Sequence, residues 1–246
     1  MIIKQLILII SLSCIFTTNV YSKKLIVAVI DTGFGYNKQS FKESHLCKYG
    51  HRDFTKDKKF TARFNTKEKI PLDLNSHGTN VVGIIDKVAG KSNYCFVIVK
   101  LFSGPNGISD DKIAYENAIR YTIALNPDII NYSAGGTTFN QVEYIWIKKY
   151  LDRHSIFITS AGNNGQELGV NGNVFYPAMY DSRICVVGNI EKNGKRHSMS
   201  NYGNLVNFWE FGVNVKAFGI TDTGTSQATA VHTGRVIKEL NGTQSH

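Results

Sequence analysis

Cysteine and proline are both scarce, with four of each in 246 residues. Four cysteines are too few to staple a disulfide scaffold, so the fold must rest on an apolar core. So little proline, with 22 glycines that keep no three-residue period, excludes collagen-like and proline-rich architectures. No interior apolar run reaches the roughly 18 residues that a membrane span needs. Acidic residues are in deficit, 19 against 28 Lys and Arg, for a formal net charge of +9. The basic residues are scattered through mixed runs such as Lys56-Asp57-Lys58-Lys59 and Lys67-Glu68-Lys69. Such runs read as solvated surface. No zinc-finger or RNA-binding aromatic pattern accompanies them, so no nucleic-acid partner is expected. Neither His-Glu-x-x-His nor Cys-x-x-Cys occurs, and the remaining histidines lack ligand spacing, so no metal and no other cofactor is expected.

What is present is ordinary globular material: 42% hydrophobic, 11% aromatic and 19% charged residues. Met1–Ser22 reads as a secretory signal, with basic Lys4, an apolar stretch over 6–16 and a small residue, Ser22, before the cut. The expectation is an exported, secreted chain of 23–246, monomeric and without a stable membrane span. Cleavage removes Cys14 and leaves Cys47, Cys95 and Cys185, an odd count that requires a free thiol or an intermolecular bond. Cys185, in Ile184-Cys185-Val186-Val187, has the setting of a buried small hydrophobe.

Leu25–Ile30 is a continuous apolar run, as expected for a strand covered on both faces; Cys95–Leu101 reads as a second buried strand, and Asp128–Ser133, Ile156–Ser160 and Ile184–Val187 as further strands. Helical patterns follow Ser109-Asp110-Asp111 and occupy Gln141–Asp152 and Gln227–Leu240. Residues 41–74 read as polar and irregular. Strands alternating with helices predict a single α/β domain with a mostly parallel central sheet flanked by helices. In such sheets active groups gather beyond the carboxyl ends of the strands. Asp31, Ser133, Gly135 and Asn163 all sit there.

Three segments carry candidate chemistry: Ala28-Val29-Ile30-Asp31-Thr32-Gly33, Asn75-Ser76-His77-Gly78-Thr79-Asn80 and Gly224-Thr225-Ser226-Gln227-Ala228-Thr229-Ala230. Together they resemble the Asp, His and Ser blocks of the subtilisin-like serine proteases, in that family's chain order. Ser160-Ala161-Gly162-Asn163-Asn164-Gly165 resembles its oxyanion-hole segment, and Asn131-Tyr132-Ser133-Ala134-Gly135-Gly136 its substrate-binding edge. The resemblance implies that Ser226 is the nucleophile, His77 the general base and acid, and Asp31 the carboxylate that orients it. A serine hydroxyl is a poor nucleophile at neutral pH until a histidine takes its proton. It further implies that Asn163 donates to the oxyanion, that Ser133, Ala134 and Gly135 pair with an extended protein or peptide substrate, and that Ser103 and Gly104 flank it. In that family's sheet the strand near Cys47 neighbours the one holding Cys95, which implies a Cys47–Cys95 disulfide.

The chain departs from the pattern in places. Gln227 stands where the family usually has Met, Ala230 where it has Pro, and Asn80 where it often has His. Phe175 falls near a pocket floor that is often small. No long prodomain separates the signal from the first strand, so the enzyme is expected to fold unaided. Asp86 is the single acid between His77 and Lys100, so the calcium loop often inserted there is expected to be missing. Other readings remain. The chain has an inactive binding module as one alternative. Asp31-Thr32-Gly33 and Asp222-Thr223-Gly224 also match the paired signature of the aspartic proteases. A dinucleotide site at Gly33-Phe34-Gly35 lacks its third glycine.

Overall fold

The computed structural model describes residues 23–35, 41–56, 69–103 and 111–242. Met1–Ser22 and Gly104 lie outside the described residues. Nine strands and four α-helices are described: β1 Leu25–Asp31, β2 Arg52–Asp53, α1 His77–Ala89, β3 Tyr94–Lys100, α2 Lys112–Ala124, β4 Ile129–Tyr132, α3 Gln141–Leu151, β5 Ile156–Ser160, β6 Cys185–Ile190, β7 Phe208–Phe211, β8 Val215–Ala217, β9 Ile220–Asp222 and α4 Thr225–Gly242. β1 to β7 form one sheet in the order β2-β3-β1-β4-β5-β6-β7, and every neighbouring pair is parallel. β8 and β9 make a separate antiparallel hairpin. Single-domain α/β architecture, read from the alternation of elements, is what the chain adopts.

Strand parity divides the core. In β1, Val27 and Val29 pack with Val82 and Ile85 of α1 and with Ala228 and Ile237 of α4. Ala28 and Ile30 point the other way, into a cluster with Ala118 and Tyr121 of α2 and Ile147 and Tyr150 of α3. Both faces are thus buried, which is why β1 and β3 read as unbroken apolar runs. Asp111 caps α2 by accepting from the Ile113 and Ala114 N–H groups, and Asn140 caps α3 in the same way.

On the first face α1 and α4 approach closely at Gly234. A Cβ there would meet Val88 Cβ at 2.6 Å. Only glycine lets the two helix backbones come this near.

The segment after β1 is less irregular than its polarity suggests. Phe41 and Phe54 are buried, and Arg52 is 3% exposed, its guanidinium over the rings of Phe54 and Tyr121 at 5.0 and 5.1 Å. Cys47 N–H donates to Phe96 O at 2.9 Å, which lays this segment beside β3. The disulfide Cys47–Cys95 closes across that contact. Cys185 is a free, partly exposed thiol at the start of β6, less enclosed than its apolar run suggests. No described helix is long and apolar enough to cross a membrane.

Candidate active site

The sheet reverses direction of growth at β1: the chain adds β3 on one side and β4 on the other. The crevice beyond the strand ends at such a switch point is where α/β sheets bind ligands. A cleft of about 850 Å³ opens there, and Asp31, His77, Ser133, Gly135, Asn163 and Ser226 all line it. Asp31 is the last residue of β1, His77 the first of α1 and Ser226 the second of α4. Two helix N-termini therefore face the cleft, and their partial positive charge favours developing negative charge.

His77 Nδ1 lies 2.8 Å from Asp31 Oδ1 and 3.1 Å from Oδ2. Asp31 is 2% exposed and also accepts from the Thr32 N–H at 2.7 Å. Burial works against a charged imidazole. The Asp31 carboxylate, through charge and hydrogen bond, outweighs it with help from Asp222 and Asp73, and His77 is raised to about 9. Ser226 Oγ donates to Ser133 O at 2.9 Å, and Ser133 Oγ donates to Ser226 O at 3.2 Å. Ser226 makes no hydrogen bond to His77 in this structure. Asn163 Oδ1 accepts from Thr225 N–H and Oγ1 at 2.9 and 3.0 Å, which leaves its Nδ2 for the cleft. The Gly135 backbone is exposed and makes no hydrogen bond among the described residues. Ser103 is exposed beside Phe102, which lines the cleft.

A family profile described as the subtilase family matches residues 22–244. The chain belongs to the subtilase family. It is 29% identical over 204 residues to the thermophilic serine proteinase of Bacillus sp. (strain AK1), covering 77% of this chain and 44% of that protein. It is 28% identical over 225 residues to the major intracellular serine protease of Bacillus subtilis (strain 168), covering 85% of this chain and 66% of that one. The chain thus spans less than two-thirds of either relative. Among solved structures, a cold-adapted subtilisin-like serine proteinase superposes with a TM-score of 0.70 at 25% identity, over 89% of this chain and 77% of that chain. A lanthipeptide protease superposes at 0.71 with 17% identity, over 90% and 74%, a likeness of fold alone.

The departures of this subtilase from the family pattern are locally satisfied. Gln227 Nε2 donates to Asn80 Oδ1 and Asp222 Oδ2, both at 3.1 Å. Asn80 Nδ2 in turn donates to Val215 O and Ile220 O, on the β8–β9 hairpin. With Ala at 230, α4 runs unbroken to Gly242. Asp222 is engaged by Gln227 and Thr223, and Asp31 by His77, so the two carboxyls share no hydrogen bond. Membership of the subtilase family leaves the aspartic-protease reading without support. Asp86 is taken by His45 Nδ1 and Tyr94 Oη, both at 2.6 Å. Phe175 wedges between the edge segment and the β5 loop. A Cβ on Gly135 would lie 2.5 Å from its Cε1, and one on Gly162 3.0 Å from its Cδ2.

Two acids of the site escaped the sequence reading. Asp73 accepts from the N–H groups of Asn75, Ser76 and Thr79 and from the hydroxyls of Thr32 and Thr79. Burial would raise its pKa, but these donors hold it below the ordinary carboxylate value. They also fix the entry to α1, where Ser76 takes a φ of 81°, a left-handed conformation uncommon outside glycine. An acid just ahead of Ser-His-Gly-Thr was the available signal. The second, Glu143, lines the cleft on the far side of the edge segment and is 2% exposed. Tyr115 and Tyr180 donate to its two oxygens, yet burial dominates and raises it to about 7.

Proposed function

We propose that this subtilase is an exported serine endopeptidase. The observation that carries the reading is the Asp31–His77 pair at 2.8 Å, set with Ser226 along one cleft. In the proposed cycle His77 Nε2 takes the Ser226 Oγ proton as the oxygen attacks a peptide carbonyl, then gives it to the leaving amine. Water attacks the acyl-enzyme by the same relay. Asp31 holds the ring with Nε2 facing the cleft and stabilises the imidazolium. Asn163 Nδ2 and the Ser226 N–H receive the oxyanion, a pair in which each donor contributes about 3–4 kcal/mol. The substrate backbone pairs with Ser133, Ala134 and Gly135 as an added strand, a role that the unengaged Gly135 backbone supports. Export is supported by the secretory pattern of 1–22 and by the Cys47–Cys95 bond, which belongs to an oxidising compartment.

A second reading, an inactive binding module on the same fold, is favoured by the Ser226 hydroxyl donating to Ser133 O instead of His77. Catalytic contacts often tighten only with substrate, so a rotation of Oγ away from Ser133 is the step that separates the readings. Fluorophosphonate labelling of 23–246, read by intact mass, tests both. One adduct that disappears in Ser226→Ala establishes the activated serine. No adduct on folded protein leaves the binding module.

A further inference from the structure

Resting on the peptidase reading, we propose that Glu143 is a recognition carboxylate: the arm of the cleft beyond the edge segment binds a lysine or arginine side chain of the substrate, flanking the scissile bond. Phe102, Tyr115, Tyr132 and Glu143 line the same cleft as Ser226, and contacts join them into this arm: Phe102 stacks on Tyr132, and Tyr115 bonds both Tyr132 and Glu143. It lies on the opposite face of the edge segment from the proposed nucleophile. Ser133 bonds Ser226, whereas its neighbour Tyr132 points away and donates to Tyr115 Oη at 3.2 Å. A peptide strand laid along Ala134 and Gly135 sends alternate side chains to opposite faces. One set therefore meets this arm.

The chemistry of the arm suits a cation. Carboxylates are almost never fully buried unless paired. Both oxygens of Glu143 are held only by neutral phenols, Tyr115 and Tyr180. Burial keeps these phenols protonated, so they donate and cannot neutralise a charge. Among the described residues no Lys, Arg or His pairs with Glu143. Lys112 lines the same arm, but its ammonium stem is largely exposed and reaches Glu116 at 3.9 Å. Asn140, whose side chain caps α3, donates to Glu116 as well. A carboxyl kept only to pin Tyr115 and Tyr180 has no reason to face the substrate cleft. One that receives an ammonium or guanidinium there regains the pairing that burial demands.

The test uses quenched peptides that differ only in Lys or Nε-acetyl-lysine at each position flanking the cleaved bond. Wild-type protein is expected to favour Lys at one position by about tenfold or more in kcat/KM, the scale of one charge-assisted hydrogen bond. Glu143→Gln should bring that ratio near unity. A wild-type ratio near unity at every position overturns the proposal, whatever the variant does, and so does an undiminished preference in Glu143→Gln. The same peptide pairs are titrated by fluorescence anisotropy into Ser226→Ala. If the wild type proves unreactive, the peptidase reading fails, and the anisotropy ratio alone decides whether the arm selects a cation.

Discussion

Gln227, the residue after Ser226, donates its side-chain amide to Asn80 Oδ1 at 3.1 Å, joining two of the positions where the chain departs from its family. Both side chains are essentially buried. The two positions are thus coupled: the buried amide at 227 finds its acceptors in Asn80 Oδ1 and Asp222 Oδ2. Gln227→Ala and Asn80→Ala should each lower stability by about 1–3 kcal/mol, since each leaves a buried polar partner unsatisfied. The double variant should lose less than the sum by at least about 0.5 kcal/mol. Urea unfolding of the four proteins measures it, and strict additivity would show the two positions to be independent.

The histidine sets a pH dependence with a definite sign. His77 is raised from 6.5 to about 9 in the folded chain, so its base form grows as pH rises toward 9. Fluorophosphonate inactivation should accelerate over that interval. Stability runs the other way: the charged pair contributes fully below 6.5 and is lost as pH rises through about 9. Asp31→Asn should slow turnover by about 10⁴-fold and remove the alkaline limb. Unchanged pH profiles in that variant would mean another group titrates.

Phe175 should restrict the substrate side chain next to the cleaved bond. Its ring occupies the space between Gly135 and Gly162. On the peptidase reading, the protein should prefer Gly or Ala at that position over Phe, and Phe175→Gly should shift the kcat/KM ratio toward Phe by about 10–200-fold. A peptide series with one varied residue reads the ratio directly. An aromatic preference in the wild type would show that the ring moves aside.

The disulfide spans 48 positions of sequence. A loop of that size corresponds to about 4 kcal/mol in the chain-entropy account. Cys47→Ala with Cys95→Ala should lower the urea midpoint accordingly, whereas Cys185→Ala, which breaks no bond, should change it little. Equal midpoints would place the contribution in the native packing around β3 instead.

The sequence made the parallel core and the five motif blocks legible, because strands buried on both faces cannot hide their apolar runs. Other elements were masked by their surroundings. α1 is buried continuously from Gly78 to Ile85, and Thr79 and Asn80 are enclosed with the apolar residues, so burial in its first turns does not follow polarity. β2 is two residues long, and its buried Arg52 depends on the ring of Phe54 beside it and on that of Tyr121, which α2 brings from far along the chain. Glu143 sits in Gln141-Val142-Glu143-Tyr144, where any reading assigns it to solvent. Tyr180, which arrives from a distant loop, is half of what encloses its carboxyl. Asp73 looked like one more polar residue of a loop, since its worth lies in backbone donors that only the fold assembles.

Ser226 and His77 stand at the heads of two helices whose bodies meet at Gly234, about 12 Å along α4 from Ser226. That contact is a fulcrum. A single methyl added at Gly234 would meet Val88 Cβ at 2.6 Å and Ile85 O at 3.0 Å, so α1 and α4 would have to part to admit it. On the peptidase reading, the spacing between the Ser226 hydroxyl and the His77 imidazole would thus be held from the interior, by a residue that lines no part of the cleft.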